Sequence, residues 1–149
     1  MFPGISECSE QRKNEMGSAD PIALIEAAKI RTMLPAPLNG AVLLNVADLA
    51  VRVGNTDQAA ASLAESRRLL ETAFPVAQRP TESWRYAVWD TVNAELLARR
   101  GDAANARQAI ASAAPVIARR FGSTGFYGLL AKRRSRYVEE QLAQRGHNL

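Results

Sequence analysis

At 149 residues the chain is long enough to bury one core without disulfide or metal staples. Hydrophobic residues make up 47% of it and aromatics only 6%, so the apolar content is largely Ala, which favours helix because Ala loses no side-chain entropy there. The net charge of +4 is modest, no apolar run reaches the roughly 18 residues of a membrane span, and Cys8, the only cysteine, excludes an internal disulfide and points to a reducing, cytoplasmic setting.

Residues 1–19 form a polar stretch without the apolar core of a secretory signal, and they read as a disordered leader to a domain over 20–149. Asp20 and Pro21 open the first expected helix, which stops at Leu34 before Pro35 and Pro37. Asn39 is the expected cap of a second helix, Gly40 to Val53, with Val42, Val46, Leu49 and Val53 on one stripe and Gly54 as its left-handed stop. Asn55 or Thr56 starts a third, striped by Ala59, Leu63, Ser66 and Leu70. Pro75 and Pro80 bracket a connection, and Thr81 opens a fourth helix that Gly101 ends. Asp102 caps a fifth, with Ala106, Ile110, Ala113 and Ile117 on its stripe; Pro115 must kink or split it. GSTGFYG at 122–128 is a connection, without the spacing of a phosphate loop. From Gly125 or Thr124 a sixth helix runs to Gly146. No segment alternates strictly, so no strand is expected.

Three of these helices end alike: AVRVGN at 50–55, LARRGD at 97–102 and LAQRGH at 142–147. Their glycines stand 47 and 45 residues apart, and a second echo (TMLP at 32–35, TAFP at 72–75, RRFG at 119–122) interleaves with them. Two interleaved markers at one period describe a helix pair stacked on itself. Through Ala47, Ala50, Gly54, Asn55, Asp57, Ala59, Leu63 and Ser66, and again through Ala94, Leu97, Gly101, Asp102, Ala106, Ile110 and Ala113, the chain resembles the tetratricopeptide repeat. Its period exceeds the usual of about 34, so the resemblance is to the long-repeat, kinesin-light-chain type. HEAT-like paired helices share a period of this order. The implied fold is all-α, a right-handed superhelix of six antiparallel helices. The first and last units are half repeats, which reads as a piece of a longer array.

Catalytic or metal chemistry needs His, Cys or clustered carboxylates in a pocket. The only histidine is His147, near the end of the sequence, and Cys8 has no base nearby. Asp48 and Glu95 occupy matching positions and form a conceivable acid–base pair, but such residues usually line a solvated groove. No enzyme activity, metal or cofactor is expected.

The resemblance implies a concave, peptide-binding groove made by the first helix of each pair. In that register its residues are Asn45, Asp48 and Arg52, then Thr91, Glu95 and Arg99, then Arg136 and Glu140. The lysines of a carboxylate clamp are missing, so recognition of a C-terminal carboxylate of that kind is not expected. Trp84, Tyr86, Trp89, Phe126 and Tyr127 read as packing between repeats or as an anchor for a bound peptide. A second reading uses the stretch 103–138, which has no Asp or Glu. There Arg119, Arg120, Lys132, Arg133 and Arg134 form a basic patch for nucleic acid or another anionic partner. The helix 125–145 is the expected C-terminal cap over Ile110 and Ile117, and the apolar helix 20–34 is the expected site of homodimerisation. A part in bacterial signalling is a third reading, drawn from association alone.

Overall fold

The structure is a computed structural model that describes residues 35–75 and 80–147. The leader, the helix 20–34 and the dimerisation reading attached to it lie outside the described residues. Within them are five α-helices and no strand: α1 (Ala36–Arg52), α2 (Thr56–Ala73), α3 (Ser83–Arg100), α4 (Ala103–Phe121) and α5 (Phe126–His147), with a 3₁₀ turn at Pro80–Glu82 before α3. The all-α expectation holds.

The first expected boundary is displaced. α1 begins at Ala36 with Pro37 in its first turn, where a missing N–H removes no helical bond. Asn39 is therefore inside the helix, its N–H donating to Pro35 O at 2.9 Å. The expected stripe is also rotated: Leu49 and Val53 are exposed, while Leu43, Ala47, Ala50 and Val51 are buried. α1 is apolar on nearly every side, so its periodicity alone does not fix which face turns inward.

The echo at 50–55 and 97–102 has a shared geometry. Gly54 and Gly101 take positive φ, 82° and 87°. At each, the glycine N–H reaches back three residues (Gly54 to Val51 O, Gly101 to Ala98 O) and the next N–H reaches back five (Asn55 to Ala50 O, Asp102 to Leu97 O). This is the Schellman closure, and it needs the left-handed residue that glycine supplies without strain. The following side chain then caps the next helix: Asn55 Oδ1 accepts from Gln58 N and Asp102 Oδ1 from Asn105 N. The third echo is different. Gly146 stays inside α5 without a positive φ, and His147 has no short side-chain acceptor to cap another helix. Pro115 does not split α4; it sits on an exposed face, where the carbonyl it orphans meets water.

Helix directions follow from the contacts. Ser66 Oγ, late in α2, donates to Gly40 O, early in α1, so the pair is antiparallel. α3 and α4 are antiparallel too, Ala87 meeting Ile117 at one end and Ala98 meeting Ala106 at the other. α5 lies along both: Ala131 joins Ala87 and Ile117, and Val138 joins Ala98 with Ile110 beside it. It thus covers Ile117 and Ile110, parallel to α3. The small residues Ala47, Ala59, Ala94, Ala98 and Ala106 have no exposed surface and let the helix axes approach closely. Tyr86 and Trp89 tie α3 to α2 by donating to Phe74 O at 2.8 Å and Leu63 O at 3.0 Å. Trp84, Phe121 and Tyr127 pack edge-on or tilted against one another where α3, α4 and α5 meet.

Candidate functional site

Two features share the side on which α1, α3 and α5 face one another. The first is a buried ionic cluster. Asp48 and Arg52 are one turn apart on α1, and Thr91 and Glu95 are one turn apart on α3, so each pair shares a helix face. Arg134 of α5 reaches between them. Arg52 donates through Nε to Asp48 Oδ1 and through Nη2 to Glu95 Oε1, both at 3.0 Å. Arg134 donates through Nη1 to Thr91 Oγ1 and through Nη2 to Asp48 Oδ2, also at 3.0 Å. Its Nε stands 3.7 Å from Glu95 Oε1 and has no hydrogen-bond partner. Arg133 Nη2 lies 3.8 Å from Asp48 Oδ2. Thr91 can accept because its own hydroxyl proton goes to Val88 O.

Burial sets the protonation. Glu95 has no exposed surface and Arg134 is 2% exposed. Burial first, and the hydrogen bond and charge of Asp48 second, push the Glu95 carboxyl up to about 9, the attraction of Arg52 and Arg134 only partly offsetting them. Glu95 Oε2 has no donor facing it, a setting in which a carboxyl keeps its proton. Burial also works against the charge of Asp48. There the hydrogen bond from Glu95 and the nearby guanidinium groups win, and Asp48 is held below its ordinary value. Arg52 is held above its ordinary value: burial opposes its charge, but Glu95 and Asp48 outweigh it. The cluster thus sets three guanidinium groups against one ionised carboxylate and one protonated carboxyl.

The second feature is a cavity of about 190 Å³ bounded by α1, α2, α3 and α5. Its walls are mostly apolar: Ala41 and Leu44 from α1, Leu69 and Leu70 from α2, Phe74, then Trp84, Val88 and Trp89 from α3, and Phe126, Tyr127 and Leu130 from α5. Asn45, Ser66, Arg85 and Arg134 are its polar members, so Arg134 belongs to both features. The Arg85 guanidinium lies over the rings of Phe74 and Trp84 at 4.1 and 4.4 Å and donates to Glu82 at 2.8 Å. Phe126 borders the cavity while remaining 73% exposed.

The structure sorts the expected groove residues three ways. Asn45 is exposed and lines the cavity. Asp48, Thr91 and Glu95 are buried in the cluster with half-buried Arg52, a correction to the open groove expected of them. Arg99 is half-buried against α5, donating to Gln141 at 3.2 Å, while Arg136 and Glu140 are exposed and belong to neither feature. Of the basic patch, Arg119, Arg120, Lys132 and Arg133 are exposed; Arg134 is not, because Asp48 and Thr91 draw it inside.

Sequence reasoning missed the role of Arg134 for a geometric reason. The glycine markers align positions 45 to 47 residues apart, but the touching pairs Arg52–Glu95 and Thr91–Arg134 are 43 apart and Arg99–Gln141 is 42 apart. Neighbouring parallel helices are staggered by about one turn. The one available signal was that Asp48, Thr91 and Arg134 are equally spaced. Among the described residues no group of three or more His, Cys, Asp or Glu side chains could hold a metal ion, and no helix is long and apolar enough to cross a membrane.

Compared with protein-family models, curated proteins and solved structures, the chain has no match. The residues themselves carry the functional reading.

Proposed function

We propose that the chain is a non-catalytic interaction module, a tetratricopeptide-like helical array that binds a partner protein through the side shared by α1, α3 and α5. The observation that carries this reading is the cavity, whose apolar and aromatic walls come from four helices and whose rim includes the exposed Phe126. Packed interiors leave few voids larger than a water molecule, and a cavity with two tryptophans at its wall has the character of an anchor site on a binding surface. The carboxyl pair does not argue for catalysis. Glu95 is sealed from solvent and Asp48 is 8% exposed, and the hydrogen bonds they accept come from Arg52 and Arg134. The cluster's role is to fix α1, α3 and α5 against one another and so hold the cavity walls in place.

The test is selection from a random peptide library displayed on phage, with Ala41→Phe as the counter-selecting variant. Ala41 is exposed and lines the cavity, so the new ring fills the site from its mouth without entering the core. Binders that hold the wild type and not the variant support the reading. A library yielding only binders indifferent to Ala41→Phe refutes it. The exposed bases Arg119, Arg120, Lys132 and Arg133 define the second reading, an anionic partner; binding indifferent to the cavity and lost steeply with added salt is its signature.

A further inference from the structure

The size of the cavity limits what fills it. A dry apolar cavity of about 150 Å³ takes a benzene ring, whereas pockets for drug-sized ligands run from about 300 Å³ upward. At about 190 Å³ the site suits one bulky side chain. The walls also discriminate by polarity. Ser66 spends its hydroxyl proton on Gly40 O, Trp89 its indole N–H on Leu63 O, and Arg85 is engaged with Glu82. A nucleobase seated there would bury ring nitrogens and carbonyls with few partners, which costs free energy for each unmet group. A phenyl or branched aliphatic side chain has none to satisfy.

Charge selects what flanks that side chain. No carboxylate lines the cavity. At its α5 end lies the ionic cluster, with Arg52, Arg133 and Arg134 against one ionised carboxylate. Arg134 keeps a buried Nε with no hydrogen-bond partner, 3.7 Å from Glu95 Oε1. Arg133, one turn past the cavity's Leu130, is 61% exposed along its side chain and only 3.8 Å from Asp48, so much of its charge is open to an incoming anion. We infer that the cavity anchors one aromatic or branched aliphatic side chain of an acidic protein segment, whose neighbouring carboxylates reach the exposed Arg133, next in sequence to the cavity-lining Arg134. This rests on the interaction-module reading and adds the chemistry of the partner.

Trp84 and Trp89 are the only tryptophans of the chain and both line the cavity, so their emission reports occupancy. The full chain is titrated with end-blocked pentapeptides: phenylalanine flanked by Asp and Glu, the same flanked by Lys, and the acidic peptide with Ala at the centre. A short single-stranded oligothymidylate is the fourth probe. The acidic phenylalanine peptide is expected to change the emission saturably and to bind more weakly as salt rises. Arg133→Ala is expected to weaken it about two- to fivefold, the scale of an exposed ion pair, and Ala41→Phe to abolish it, circular dichroism confirming that both variants fold. No saturable change with that peptide, equal binding of the Lys-flanked or Ala-centred peptide, or binding of the oligonucleotide alone overturns the inference. Library binders that depend on the cavity but carry no acidic bias would overturn this inference alone and leave the interaction module standing.

Discussion

Replacing Glu95 by glutamine tests the protonation of the buried cluster directly. The Glu95 carboxyl, pushed up to about 9 from an ordinary 4.5, holds in the folded state a proton that the unfolded chain has released anywhere between those values. The folded state then binds more protons than the unfolded one, so this group's stabilisation is complete below 4.5 and is lost as pH rises towards 9. One proton sets a limiting slope of about 1.4 kcal/mol per pH unit. From about pH 6 to about pH 8 the wild type should therefore lose about 3 kcal/mol through Glu95, a large part of the roughly 5–15 kcal/mol that holds a domain folded. Asp48, held low, changes stability in the opposite sense and only below 3.8, outside that window. In Glu95→Gln the amide oxygen can still accept from Arg52 as Glu95 Oε1 does, but no proton is exchanged. Urea unfolding followed by circular dichroism at a series of pH values gives both curves, and every other titrating group cancels in their difference. The variant should gain on the wild type steadily as pH rises. Parallel curves would mean that Glu95 is ionised throughout, and the account of the cluster would fail.

Arg134→Ala strips Asp48 and Thr91 of their buried donor and should cost about 3–5 kcal/mol, as breaking a buried pair does, whereas Arg119→Ala, on an exposed residue, should stay within about 0.5 kcal/mol; urea midpoints compare them. Gly101→Val forces a β-branched residue to a φ of 87° and should cost about 1–3 kcal/mol. Arg99→Ala, which removes the hydrogen bond to Gln141, should cost about 1 kcal/mol. Thermal melts that rank these two in the opposite order would contradict the turn geometry. Asn55→Ala and Asp102→Ala each remove an N-cap acceptor, and each should lower stability by about 1 kcal/mol, nearly additively because the two caps share no partner.

Much of the local structure was legible. Gly followed by Asn or Asp after an apolar-periodic run has a single geometric solution, a left-handed closure and a side-chain cap, and both copies adopt it. The boundaries that failed did so where a residue has two uses. Pro35 and Pro37 end one helix or start another with equal ease, and Gly146 is a glycine that keeps helical dihedrals instead of closing the helix. Of the aromatic residues grouped at 84, 86, 89, 126 and 127, four stand at the cavity wall, while Tyr86 turns away and donates to Phe74 O. The leucines beside them carried no distinguishing mark, because a leucine facing a cavity and one in a filled core share the same sequence pattern.

The sequence by itself determined the helical character of the described residues, the closures and caps at Gly54–Asn55 and Gly101–Asp102 and the small residues where helices cross, since these follow from interactions within a turn or between adjacent helices. The tertiary structure alone decided which face of α1 turns inward and how far α1, α3 and α5 slide along one another. That slide, about one helical turn short of the repeat spacing, brings Arg52 opposite Glu95 and Arg134 opposite Thr91. It turns residues that separately read as solvated groove positions into one buried, hydrogen-bonded cluster. Side chains from helices 43 residues apart meet or miss according to axial stagger, and stagger is set by the packing of whole helices, which no local pattern encodes.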